Sequence, residues 1–168
     1  ISGGTGDIFI SKNVNGKWSN PEKLKGDVNT SSWEGSAFLS PDGKYLYFSS
    51  ERPGGYGGKD LYRAKLIDGK WKKIENLGPQ INTKADEDSP VLFGDGNILF
   101  FSSNGHKSIG GFDIFRSDNV NGKWSEPINV GVPVNTPKDD IFFSITADGS
   151  AAYLSSDRKG GLGKQDIY

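Results

Sequence analysis

Asp7-Ile8-Phe9, Asp60-Leu61-Tyr62, Asp113-Ile114-Phe115 and Asp166-Ile167-Tyr168 are one motif written four times, each copy 53 residues after the last. Other landmarks keep the same step. Gly16-Lys17-Trp18 returns at Gly69-Lys70-Trp71 and Gly122-Lys123-Trp124. Asn29-Thr30 returns at Asn82-Thr83 and Asn135-Thr136, and Asp42-Gly43 at Asp95-Gly96 and Asp148-Gly149. Ser49-Ser50 returns at Ser102-Ser103 and Ser155-Ser156. One register held without insertion over three periods marks a repeat architecture.

Each period reads as four strands. A short apolar run at 37–40 stops at Pro41-Asp42-Gly43, where Asp-Gly predicts a tight hairpin with positive φ at both central positions. The next run, 44–50, is Tyr-Leu-Tyr-Phe between polar ends, a pattern that suits a strand covered on both faces. A Gly-rich loop at 54–58 leads into the third strand at Asp60, which turns at Asp68-Gly69 into a fourth running from Trp71 toward Leu77. No window carries a 3.6-residue apolar stripe. A four-stranded unit of this length predicts an all-β fold, a β-propeller segment of antiparallel blades, whose inner strands are buried between neighbours. The expected division is the end of a blade and its connection over 1–35, blades over 36–88 and 89–141, and the first three strands of a final blade over 142–168. Propellers close with four or more blades. The sequence is therefore expected to be an excerpt of a longer ring, the alternative being two copies associating to close one.

Composition narrows the function. The 168 residues include 24 Gly, 8 Pro and no Cys, so neither a disulfide framework nor a thiolate chemistry is available. Twenty basic against 21 acidic side chains leave a charge of −1, which gives no case for nucleic acid as a partner. No apolar run approaches the roughly 20 residues of a membrane-spanning helix, and none has the charged start and small-residue end of a secretory signal.

Ser40-Pro41-Asp42-Gly43-Lys44 followed by Tyr47-Phe48-Ser49-Ser50 resembles the Pro-Asp-Gly motif of TolB-type, WD-like propeller repeats. The longer spacing is similar to that of propellers upstream of OmpA-type domains in Bacteroidota cell-envelope proteins, including PorE-like components of type IX secretion. The residues that carry this are Gly110-Gly111-Phe112-Asp113-Ile114-Phe115, Gly122-Lys123-Trp124-Ser125-Glu126-Pro127, Pro133-Val134-Asn135-Thr136 and Tyr153-Leu154-Ser155-Ser156-Asp157-Arg158. Gly94-Asp95-Gly96 and Ala147-Asp148-Gly149 depart from the motif in lacking its Pro. The resemblance implies a periplasmic, outer-membrane-associated setting, with peptidoglycan bound only through a domain that this sequence does not contain.

Most repeated polar residues read as structural. Trp18, Trp71 and Trp124 suit wedges between blades. Asp7, Asp60, Asp113 and Asp166 suit carboxylates accepting loop amides, standing too far apart to share a metal ion. The Asn-Thr pairs suit side-chain-capped turns. The best candidate for a partner-binding site is an acidic channel mouth of Glu34, Glu87 and Asp140 with Trp33, Asp86 and Asp139, near Arg52, Arg158 and His106. Its competing reading is that each carboxylate bonds local backbone. No nucleophile elbow, paired-His motif or P-loop occurs. Neither catalytic residues nor a cofactor is expected. The reading is a non-catalytic scaffold for protein–protein interaction in the bacterial envelope. The alternatives are a glycan-binding or glycan-processing propeller, and an accessory propeller gating a peptidase domain elsewhere.

Overall fold

A computed structural model describes residues 6–168, and among them every regular element is a strand. Residues at the start form β1 (Phe9–Ile10), β2 (Asn13–Val14), β3 (Lys17–Trp18) and β4 (Glu22–Lys23). A complete antiparallel blade follows in the order β5 (Glu34–Leu39), β6 (Tyr45–Ser50), β7 (Asp60–Ile67), β8 (Lys70–Asn76). The second blade has β9 (Glu87–Phe93), β10 (Ile98–Ser103) and β11 (Asp113–Val120), with β12 (Lys123–Trp124) and β13 (Ile128–Asn129) both paired to β11. The last sheet is β14 (Asp140–Ile145), β15 (Ala152–Ser156) and β16 (Asp166–Ile167). This is an all-β segment of a β-propeller.

Alternation along the second strand of each blade builds the core. In β6, Leu46 and Phe48 face a cluster with Val28, Tyr62, Ala64 and Trp71, while Tyr47 faces the next blade's Leu92, Leu99, Phe101 and Phe115. In β10, Leu99 and Phe101 belong to that second cluster, and Phe100 turns the other way onto Ile114, Phe143 and Leu154. Each strand thus supplies both of the interfaces that flank it.

The fourth strand shows what proline does to a ladder. Pro21 and Pro127 stand where the complete blade has Ile74. β8 continues through that point, although its pairing with β7 shifts register there and Lys73 takes a φ of 50°, whereas the strand is split into β3 and β4, and into β12 and β13, on either side of the prolines. A ring nitrogen with no hydrogen cannot donate to the neighbouring strand. In the second blade Ser125 fills the break by accepting from Ser117 Oγ and Asp118 N.

Two sequence expectations need correction. The inner strand does not start at residue 37 but at Glu34, Glu87 and Asp140. The boundaries drawn at 35/36, 88/89 and 141/142 therefore fall inside β5, β9 and β14. Register shifts interrupt all three strands, and Ser36, Ser89 and Phe142 adopt φ of 48°, 53° and 53° there. Such a bulge breaks the two-residue period, so the polar residues ahead of it do not look like strand. The hairpin at Asp42-Gly43 is also different. Gly43 N donates to Ser40 O at 2.8 Å, which puts Pro41 and Asp42 at the corners and leaves only Gly43 left-handed, at φ 69°. Asp42 instead accepts from Ser40 Oγ and Lys44 N. The turn with both positive angles is at Asp68-Gly69, with φ of 49° and 70°.

Phe101 is fully buried where the two complete blades meet. Phe101→Ala is expected to lower unfolding free energy by about 3–5 kcal/mol. Val120→Ala at an exposed hairpin end should change it by less than about 0.5 kcal/mol. Urea titration followed by tryptophan fluorescence measures both.

Candidate partner-binding face

The connection entering each inner strand is closed by a carboxylate. Glu34 accepts from Thr30 N at 2.8 Å, Thr30 Oγ1 at 2.6 Å and Ser50 Oγ at 3.0 Å. Glu87 repeats the set with Thr83 N and Oγ1, both at 2.7 Å, and Ser103 Oγ at 2.8 Å. Asp140 accepts from Thr136 N at 2.6 Å and Oγ1 at 2.9 Å, and its shorter arm reaches Arg158 at 2.7 Å in place of the serine. These three residues are at most 1 % exposed. They are consumed inside the fold and do not line an open mouth, which corrects that part of the expected site. The signal was present in the sequence, since hydroxyl and carboxylate keep a four-residue spacing in all three copies.

The Asn residues of the same connections do more than cap a turn. Asn82 Oδ1 accepts from Leu61 N at 2.8 Å while its amide donates to Leu61 O at 3.0 Å, and Asn135 does the same to Ile114. Asn29 makes the equivalent pair with Ile8. One side chain stands in for a residue of a neighbouring strand and satisfies both backbone groups of the third strand.

A second latch crosses the connection from the loop after the second strand. Arg52 donates to Val28 O and lies 5.0 Å from the ring centres of Phe48 and Tyr62. Arg158 donates to Val134 O at 2.7 Å. In the second blade the matching position is Gly105, where a Cβ would collide with the Thr83 hydroxyl. His106 takes over. Its Nε2 lies 2.8 Å from Ile81 O, and its ring centre is 5.7 and 5.2 Å from those of Phe101 and Phe115. A carbonyl partner assigns the hydrogen to Nε2. Burial raises the Glu87 carboxyl above its ordinary value, opposed by the Thr83 and Ser103 hydrogen bonds and by the nearby His106.

The loops before the third strand lie flush against the next blade. A Cβ on Gly57 would meet Ala85 O, and one on Gly110 would meet Thr136 O. Asp86 accepts from Lys59 N, and Asp139 from Phe112 N, each at 2.9 Å. Trp33, at the same register, carries Lys59 Nζ 4.1 Å above its ring, and that ammonium also pairs with Asp88 at 3.1 Å. From the other side Asp60 accepts from Tyr56 N at 2.6 Å, Gly57 N at 3.0 Å and Asn76 Nδ2 at 2.7 Å. Asp113 accepts from Ile109 N and Asn129 Nδ2, and Asp166 from Gly163 N. Asp7 forms an ion pair with Lys23 at 2.8 Å.

The three tryptophans diverge. Trp71 is buried with Val28 and Tyr62, and Trp124 meets Tyr47 edge-on at 6.5 Å, whereas Trp18 is 71 % exposed. Leu24 and Val28 stand beside Trp71, and Leu77 and Ile81 are their counterparts near Trp124.

What remains presented to a partner is the partly exposed acidic pair Asp86 and Asp139 with Trp33, and the loop tips Tyr56, Ile109 and Leu162. The tips were not singled out by the sequence reading, although all three keep the 53-residue register beside glycines. Among the described residues no group of three or more His, Cys, Asp or Glu is arranged to hold a metal ion.

No protein-family model and no curated protein matches the sequence. Solved structures resemble the fold. A protein assigned as TolB from Agrobacterium tumefaciens is 16% identical over 92% of this chain and 65% of its own, with a TM-score of 0.47. An α-L-arabinofuranosidase from Lactobacillus brevis is 14% identical over 89% of this chain and 55% of its own, with a TM-score of 0.50. The chain thus spans less than two thirds of either structure.

The Glu87 environment gives a pH prediction. A carboxyl whose folded-state pKa lies above its unfolded value adds stability that is present below the unfolded pKa and lost as pH rises through the folded one. Stability is therefore expected to fall as pH climbs from the ordinary glutamate range through Glu87's raised value. Glu87→Gln should flatten that part of the profile. His106→Ala should move the fall to higher pH and cost about 1–3 kcal/mol for the unpaired Ile81 carbonyl. Urea unfolding between acid and neutral pH tests this, and an unchanged slope in Glu87→Gln would refute it.

Proposed function

We propose that the chain is part of a non-catalytic propeller scaffold that mediates protein–protein interaction in the bacterial cell envelope. The reading takes the parent to be a peptidoglycan-associated OmpA-family or type IX secretion component. Peptidoglycan would then be held by a domain outside this chain, at the outer membrane's periplasmic side. The observation that supports it most is how the loop face is fixed. Loop amides are bonded on one side by Asp60 and Asp113 and on the other by Asp86 and Asp139. Carboxylates are spent holding backbone in place, and a pre-organised surface costs less ordering when a partner docks.

A second reading, a glycan-processing propeller, draws on the similarity to the arabinofuranosidase and on the partly exposed Asp86 and Asp139. It requires turnover of a glycan panel that Asp86→Asn and Asp139→Asn abolish.

Photo-crosslinking in envelope extracts tests the scaffold. A photoreactive residue at position 84 or 138, beside the loop face, is expected to capture a small set of envelope proteins. The same residue at position 121, in the hairpin at the far end of the third strand, should capture few. Equal capture at both ends, or glycan turnover with the Asn variants inactive, would reject the scaffold reading.

A further inference from the structure

The outermost strand is covered differently in the two complete blades. In the first, the preceding connection pairs in parallel with β8 at Gly26 and Trp71. Trp71 N donates to Lys25 O at 3.0 Å, and Asp27 N donates to Trp71 O at 2.8 Å. Both outward-facing backbone groups of Trp71 are thereby satisfied by the chain itself. The approach is so close that a Cβ on Gly26 would collide with Trp71 O, and Gly26 holds φ at 120°. Only glycine fits there.

One repeat later the same three positions are Gly78, Pro79 and Gln80. Proline fixes φ at about −65° and cannot take the angle of Gly26. The connection closes on itself instead, with Gly78 O accepting from Ile81 N at 3.1 Å and Asn82 N at 2.9 Å. Its counterpart in the first blade, Lys25 O, is the group that accepts from Trp71. Trp124 therefore keeps the place of Trp71 and loses its cover. Ser125 N donates inward to Asp118 O at 2.8 Å, so alternation turns the N–H and C=O of Trp124 away from β11. Neither has a hydrogen-bond partner among the described residues. A cleft of about 320 Å³ opens beside them between the outer strands of the two blades. It is lined by Leu77, Gln80, Lys123 and Trp124 with the Arg63–Glu75 ion pair.

We infer that this cleft takes a short extended segment of a partner protein, which adds to the outer edge of β12 by hydrogen-bonding the Trp124 backbone. The first blade argues for that occupant, because there extended backbone of this same chain fills the equivalent place and makes both bonds. Strand addition to a free sheet edge draws its affinity from main-chain hydrogen bonds. The free edge is short, since Pro127 ends the ladder beyond it. A segment of a few residues fits, free of proline where it pairs and with an apolar side chain toward Leu77. The inference goes beyond the scaffold reading: it adds one ligand on the rim, away from the loop face, to the few captures expected at position 121.

Amide hydrogen exchange and a peptide library test it on the intact chain. In the free protein the Trp124 amide is expected to exchange much faster than the Trp71 amide. A phage-displayed library of linear peptides should yield binders whose synthetic copies protect the Trp124 amide. N-methylating the peptide residue that pairs there should weaken binding roughly tenfold, as the loss of one backbone hydrogen bond. Gly78→Lys with Pro79→Gly, which copies Lys25-Gly26, should protect Trp124 without peptide and weaken binding at least as much. Thermal melts followed by circular dichroism verify that this closed variant is folded. A library without binders, binders that leave the Trp124 amide exchanging freely, or binding indifferent to every N-methylation would overturn the inference. So would concentration-dependent dimers that the closed variant abolishes, since a second copy would then be the occupant.

Discussion

The second strand of each complete blade has no solvent face, and the rest of the molecule follows from that. Phe48 and Tyr47 are neighbours in sequence yet belong to cores on opposite sides of one sheet. Such a strand satisfies its side chains only when a blade stands on either side of it. Stability is therefore shared along the ring, since each interface is built from two adjacent repeats. A fixed repeat length keeps those interfaces equivalent, because an inserted residue would displace every later aromatic from its socket.

Two-sided burial leaves a polar problem at the blade ends, where the chain must leave one sheet and enter the next. Backbone groups there lose water and have no ladder to join. The solution is a fixed set of short side chains. Asn82 substitutes for a strand residue, Glu87 gathers Thr83 and Ser103, and His106 or an arginine closes the carbonyl that remains. Three donors converging on a buried carboxylate offset much of its desolvation, although at Glu87 burial still outweighs them. That is why acidic residues recur in a register with no outlet to solvent.

Elements governed by local rules were readable from the sequence. The alternating aromatics of the second strand and the Asp68-Gly69 turn depend on residues close in the chain, and both stand where the spacing placed them. The inner strand was misplaced because its bulge at Ser36 and Ser89 breaks the alternation that identifies a strand. The candidate site was half legible. Glu34, Glu87 and Asp140 were grouped correctly by phase, but whether a carboxylate faces solvent depends on a serine 16 residues away and on an arginine across the connection. The equivalence of His106 with Arg52 lay further out of reach, because the two occupy different phases and converge only through the ring pair beneath them.

What the repeats hold in common and what they vary therefore have different meanings. Bonds that close the connections are kept in kind from blade to blade, with Asp140 and His106 as chemical substitutes for the same contacts. Variation gathers at exposed loop tips, such as Tyr56 against Ile109 and Leu162. Phe142 is the sharpest case. It stands at the bulge position occupied by Ser36 and Ser89, is 54 % exposed, and holds φ at 53°, an arrangement that a bulky residue adopts at a cost. With the fold's own requirements met by the shared residues, the residues free to differ are those on the surface, and there the distinct properties of each blade must be written.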